Sequence, residues 1–95
     1  MKRAKPVSRV DNAQVRVTEW QFEPGAATGH HRHEFDYVVV PLVDGLLRLI
    51  AADGDSSAEL RKGIAFRKAG VEHDVINASD KPLAFVEIEL LDHPL

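Results

Sequence analysis

The chain has 95 residues, 44% of them apolar, and a formal net charge of −3 at pH 7. That length holds one domain with a modest core and excludes a second; without a basic surplus, nucleic-acid binding is not expected. There is no cysteine, so disulfides and thiolate metal sites are excluded, and any site must use nitrogen and oxygen ligands.

Met1 to Asn12 carries Lys2, Arg3, Lys5 and Arg9, and residues 1–12 read as a solvated basic tail or arm. This segment lacks an apolar core of signal-peptide length, and no stretch approaches the ~18 apolar residues of a membrane span. The expectation is a cytoplasmic protein with no membrane partner.

Residues 13–95 read as a single β-domain. Ala13 to Phe22 interleaves Val15 and Val17 with Gln14, Arg16 and Thr18, the period-2 pattern of a half-buried strand. Its inward face is ambiguous, because Trp20 and Phe22 share parity with Arg16 rather than Val17. After the turn Glu23-Pro24-Gly25, strands are expected over Thr28 to Glu34 and Tyr37 to Val43, with Pro41 at an edge or bulge because it lacks a backbone donor. Asp44-Gly45 is a hairpin signal. Further strands follow at Leu46 to Ala52, Ala58 to Lys62, Ile64 to Arg67, His73 to Asn77 and Leu83 to Leu91. No amphipathic helix is evident, and six or more short strands indicate an all-β sandwich or barrel. Phe35, Val39, Ile64, Phe66 and Val75 are candidates to line its interior, chiefly by plain core packing.

His30, His31 and His33 fall together on one expected strand. Residues i and i+2 of a strand project from one face roughly 6–7 Å apart, given a rise of about 3.3 Å per residue. His31 and His33 can therefore lean onto one ion, while His30 points the other way with Arg32. His-x-His alone is a weak signal, since a polar strand face in solvent gives the same pattern. The glycines around it add weight: Gly25 before the pair, Gly45 after it, and a second segment with Gly63, Gly70, His73 and Asn77.

These two segments resemble the paired motifs of the cupin superfamily, Gly-x5-His-x-His followed by an acidic ligand and a glycine, and Gly-x5-Pro-x-Gly-x2-His-x3-Asn. Gly25, His31, His33 and Gly45 match the first, and Gly63, Gly70, His73 and Asn77 match the second. The resemblance implies a double-stranded β-helix, or jelly-roll β-barrel, over residues 13–95. It also implies one divalent transition metal (iron, nickel, zinc, copper or manganese) held by His31, His33 and His73. Two positions depart from the pattern. Lys68 replaces the family proline, one residue early, and Tyr37 stands where the acidic ligand is expected.

With a phenol in place of a carboxylate, three neutral imidazoles leave about two units of positive charge on the ion, which favours a small anionic ligand. Tyr37 can hydrogen-bond that ligand or supply a proton, which makes it the candidate catalytic residue; packing as a core aromatic is an equal reading. Glu34 and Asp36 have the wrong parity, although a β-bulge would bring one of them inward. Asn77 fits turn geometry better than ligation, and His93 near the end of the chain is given no role. The run His30 to Pro41 also resembles a group of short bacterial cupins, some labelled beta-alanine degradation protein. That label implies a link to small amino-acid catabolism without defining a reaction.

Two functions fit. One is a metal-dependent, dioxygenase-like enzyme acting on a small carboxylate; the other is a non-catalytic module that binds or senses a small molecule with the metal as anchor. A vestigial site without metal is a third. Cupins are often dimers, and edge strands in so short a chain make a homodimer a reasonable expectation.

Overall fold

In the computed structural model, which describes residues 2–70 and 72–94 (the side chains of 92–94 excepted), the alternating segments form nine strands. They are β1 (Lys5–Asp11), β2 (Val15–Phe22), β3 (His31–Arg32), β4 (Phe35–Pro41), β5 (Gly45–Ala51), β6 (Gly54–Leu60), β7 (Phe66–Lys68), β8 (Glu72–Asn77) and β9 (Leu83–Pro94). One sheet has the order β1-β2-β9-β4-β7 and the other β3-β8-β5-β6. Every pairing between these strands is antiparallel. This is the expected all-β jelly-roll barrel. No helix among the described residues is long and apolar enough to cross a membrane.

Burial settles the ambiguity in β2. Phe22 is buried and Trp20 packs against the core, so the face that also carries Arg16 is the inner one. Two large aromatic side chains offer far more apolar area than Val15 and Val17, and that decides which face turns inward. Phe22, Tyr37, Val39, Leu47, Leu60, Val75, Leu83 and Phe85 fill the space between the sheets. Tyr37, Val39 and Pro41 share the buried parity of β4.

Three expectations are revised. Within residues 1–12, expected as a solvated tail or arm, Lys5–Asp11 pair with β2 as an edge strand. Ala4 and Ala27 also bond through the backbone, Ala4 N to Ala27 O at 2.9 Å and Ala27 N to Lys2 O at 3.0 Å. The charged side chains stay exposed; their composition hid a strand that is held by main-chain hydrogen bonds and buries little.

Asp44-Gly45 does not close a hairpin, because β4 and β5 belong to different sheets. It is a corner between them. Gly45 is required there by a close approach, since a Cβ would lie 2.3 Å from Leu83 Cδ1, and Leu83 is itself buried.

Ile64 does not line the barrel and is 66% exposed. It lies in the turn before β7 rather than in a strand. Val39, Phe66 and Val75 do face the core. Pro41 ends β4 beyond the last pairing with β7, at Val39, where a missing donor costs nothing.

Candidate metal centre

The four-stranded sheet and the crossing that leaves it supply the histidine cluster. In the four-stranded sheet, β3 and β8 pair with His31 directly opposite His73. His33 follows in the break before β4, where the chain passes into the other sheet. The strand expected over Thr28 to Glu34 is thus a strand only at His31–Arg32, with one further backbone bond from Thr28 N to Val75 O at 2.9 Å, and the chain leaves this sheet at His33 before entering the other at β4.

Ring nitrogens of His31, His33 and His73 lie within 4.8 Å of one another. His31 Nε2 and His33 Nε2 are 3.0 Å apart. Two nitrogens held at ~2.1 Å on one ion are separated by ~3.0 Å at a right angle and ~3.4 Å at a tetrahedral one, so the donor set fits a metal. The rings meet edge to face, with centroids 4.7 Å apart for His31–His33 and for His31–His73, and 5.3 Å for His33–His73.

Backbone oxygen fixes the tautomer of His31. Its Nδ1 lies 2.8 Å from Gly29 O, which can only accept, so Nδ1 carries the hydrogen and Nε2 presents its lone pair to the cluster. Thr28 Oγ1 is 3.1 Å from the same nitrogen and donates to Gly29 O at 2.9 Å. This is the outer support that metal-binding histidines ordinarily have.

Burial, followed by the neighbouring charges of His31 and His73, pulls the His33 pKa down to about 4. Burial, then His31 and Lys68, likewise brings His73 to about 4. Both are therefore neutral at pH 7, the state a metal requires. Tyr37 stacks on His33 with centroids 4.1 Å apart and planes 22° from parallel. Burial, then Glu87 and Glu89, pushes its phenol above the usual tyrosine range, so the hydroxyl keeps its proton and serves as a hydrogen-bond donor.

Glu87 is the group that sequence reasoning missed. It is buried on the inner face of β9, with Oε2 3.8 Å from His33 Nε2. Burial, then Glu89, raises its pKa to about 7, with Trp20 acting the other way. The available signal was parity: Leu83, Phe85, Glu87 and Glu89 alternate on one face of the last strand, and an acid on an apolar stripe calls for a partner.

A small cavity of about 40 Å³ adjoins the cluster. His73, Tyr37, Glu87 and Lys68 line it, with Val39, Leu47, Leu49 and Phe66 among the apolar walls. Lys68, the residue that replaces the family proline, therefore sits against the interior.

The remaining candidates fall outside the cluster. His30 is exposed and pairs with Glu72 at 2.7 Å, and Arg32 is exposed beside it. A register shift does occur between Phe35 and Tyr37, but Asp36 turns to Arg67 and Glu34 is exposed. Asn77 is a clamp: its amide donates to Lys81 O at 2.8 Å and its oxygen accepts from Ser79 N at 2.9 Å. The side chain of His93 lies outside the described residues.

A two-sheet antiparallel barrel with three histidines gathered from β3, from β8 and from the crossing between the sheets defines a small single-domain cupin. The chain belongs to the cupin family: the model of the Cupin domain matches residues 18–89. It is 61% identical over 88 residues to the beta-alanine degradation protein BauB of Pseudomonas aeruginosa, covering 92% of this chain and 93% of that protein. Among solved structures, a cupin domain from Bordetella pertussis superposes with a TM-score of 0.90 at 49% identity, covering 95% of this chain and 97% of the other. A protein with a double-stranded β-helix domain from Klebsiella pneumoniae gives a TM-score of 0.76 at 18% identity, over 93% and 76% of the two chains. That last likeness concerns the fold alone.

Proposed function

We propose that this cupin holds one divalent transition metal on His31, His33 and His73, and uses it in dioxygenase-like chemistry on a small carboxylate of amino-acid origin. The observation that carries the reading is the convergence of three imidazole nitrogens within 4.8 Å, two of them on buried, neutral rings. When bound, the metal would polarise a coordinated ligand or dioxygen.

The chain's own side chains do the rest. Tyr37 walls the site by stacking on His33 and offers its hydroxyl to a ligand as a donor. Lys68 borders the cavity and its charge acts on His73, which suits an anionic group, and the apolar walls exclude water from the rest. The small volume favours a compact metabolite over a sugar or polyketide. The beta-alanine label of the Pseudomonas relative supports a link to small amino-acid catabolism. We extend the reading to a homodimer, because β1 leaves an open edge on the five-stranded sheet and open edges invite pairing.

The test is oxygen uptake by the Fe(II)-loaded protein in the presence of β-alanine and related small carboxylates. Uptake that depends on both iron and the acid supports the enzyme. Tightly bound zinc or nickel, with no turnover after iron is restored, contradicts it.

One observation favours a second reading, a non-catalytic binding module. The cavity of about 40 Å³ accommodates a water or two beside an ion, which suits a metal that only anchors a ligand's end group. Ligand-dependent thermal stabilisation without product formation would single out that reading.

A further inference from the structure

We infer that Glu87 is the anionic fourth ligand of this centre, so that the carboxylate absent at Tyr37 is supplied from a different strand. The inference rests on the metal reading above and deepens it. In the β4–β9 pairing, Tyr37 lies opposite Glu89 and Val39 opposite Glu87. Residues 37 and 39 share the buried parity of β4. A side chain on β9 therefore enters the same interior one step along the ladder from the position where the family places its acid. Of the two acids on that face Glu87 is the more enclosed, with its side chain 9% exposed against 14% for Glu89.

Distance agrees. Glu87 Oε2 is 3.8 Å from His33 Nε2, the nitrogen that is also 3.0 Å from His31 Nε2. Two atoms bound at ~2.1 Å to one ion stand between ~3.0 and ~4.2 Å apart across the range from a right angle to a straight line. Glu87 lies outside the tight three-nitrogen cluster, and a glutamate has three side-chain torsions with which to close on an ion. Its surroundings supply the motive. An ionised carboxylate enclosed in a barrel needs a cation, and a divalent ion on three neutral imidazoles needs an anion. Glu87 also borders the small cavity together with His73 and Tyr37.

Other features of the molecule lead less far. Arg16 is divided between Asp11 and Glu89, each at 3.8 Å. The exposed Leu42, Val43 and Leu46 have nothing beside them to say what would cover them.

The test uses cobalt(II) as the probe on the full chain, comparing wild type, Glu87→Gln and Glu87→Asp. Each metal-free protein is first checked for its β-sheet circular dichroism. Wild type is expected to take up one cobalt per chain. E87Q, which keeps the shape and loses the charge, is expected to bind at least about 10-fold more weakly and with shifted visible d–d bands. E87D is expected to recover part of both. An E87Q spectrum identical to wild type overturns the inference even if affinity falls, because Glu87 then acts only through His33. Failure of wild type to bind cobalt overturns the metal reading itself, which separates the two failures.

Discussion

His31 and His73 stand directly opposite one another across the β3–β8 ladder, with ring centroids 4.7 Å apart. The pairing register therefore sets the span of the donor set, and the two histidines, 42 positions apart in the sequence, are brought together by it. β3 has only two residues, and the alignment with β8 is held beside it by Gly25 N to Asn77 O at 3.0 Å and by Asn77 N to Ala26 O and Thr28 N to Val75 O, each at 2.9 Å. The side-chain and backbone contacts around it become correspondingly important.

Thr28 is the clearest case. Its hydroxyl donates to Gly29 O, the carbonyl that orients His31, and accepts from Val75 N at 3.3 Å. Thr28→Val keeps the shape and removes the hydroxyl. A loss of roughly 10-fold in zinc affinity, with an unaltered melting curve in the presence of excess metal, is the expected outcome in a chelator-competition titration. Unchanged affinity would mean that Gly29 O alone orients the ring.

Tyr37 separates two roles that one residue can hold. Tyr37→Phe retains the stack on His33, so metal content should equal that of wild type while stabilisation by an anionic ligand is lost. Tyr37→Ala removes a buried ring and should cost about 3–5 kcal/mol of stability. Elemental analysis with calorimetric or urea unfolding reads both. Reduced metal in the Tyr37→Phe protein would show the hydroxyl acting at the ion.

Asn77 belongs to the family motif yet acts on the fold. It joins the end of β8 to Phe22 O and Glu23 O, at 3.4 and 3.3 Å, as well as to Lys81 and Ser79. Asn77→Ala leaves several of these groups buried without partners, at about 2–4 kcal/mol by urea unfolding. The folded variant should still load metal fully, and an empty site in a folded variant would contradict this division of labour.

Acid sensitivity has a definite sign in the metal-free protein. His33 and His73 hold pKa values of about 4 against an ordinary 6.5. Between those limits the unfolded chain takes up protons that the folded one refuses, so their contribution to stability rises with pH and levels off above 6.5. Glu87, raised from 4.5 to about 7, works in reverse: its folded form keeps a proton the unfolded chain has released. Two imidazoles outweigh one carboxyl below pH 6.5. Stability measured by urea unfolding in EDTA should therefore increase from pH 4.5 to 6.5, and more steeply in Glu87→Gln. A variant slope no steeper than wild type would contradict the buried-carboxyl account.

Much of this was legible in the sequence. The strand segments from Val15 onward follow period-2 alternation and glycine punctuation, and His31, His33 and His73 were marked by motif spacing. What escaped depends on contacts that no local pattern encodes. β1 is held by backbone hydrogen bonds beneath charged side chains, so its composition looked like a tail. Asp44-Gly45 has hairpin chemistry, yet the chain changes sheets there, and the packing of Leu83 against Gly45 is a contact between distant positions. Glu87 lies 54 positions from His33 and reaches it only once β9 is inserted between β2 and β4.

The most direct test of the metal centre is elemental analysis of untagged wild-type protein beside a His31→Ala/His33→Ala variant purified in parallel. The account predicts close to one divalent transition metal per chain in wild type and background levels in the folded variant. Equal metal in the two proteins, whether bound or absent, would contradict it.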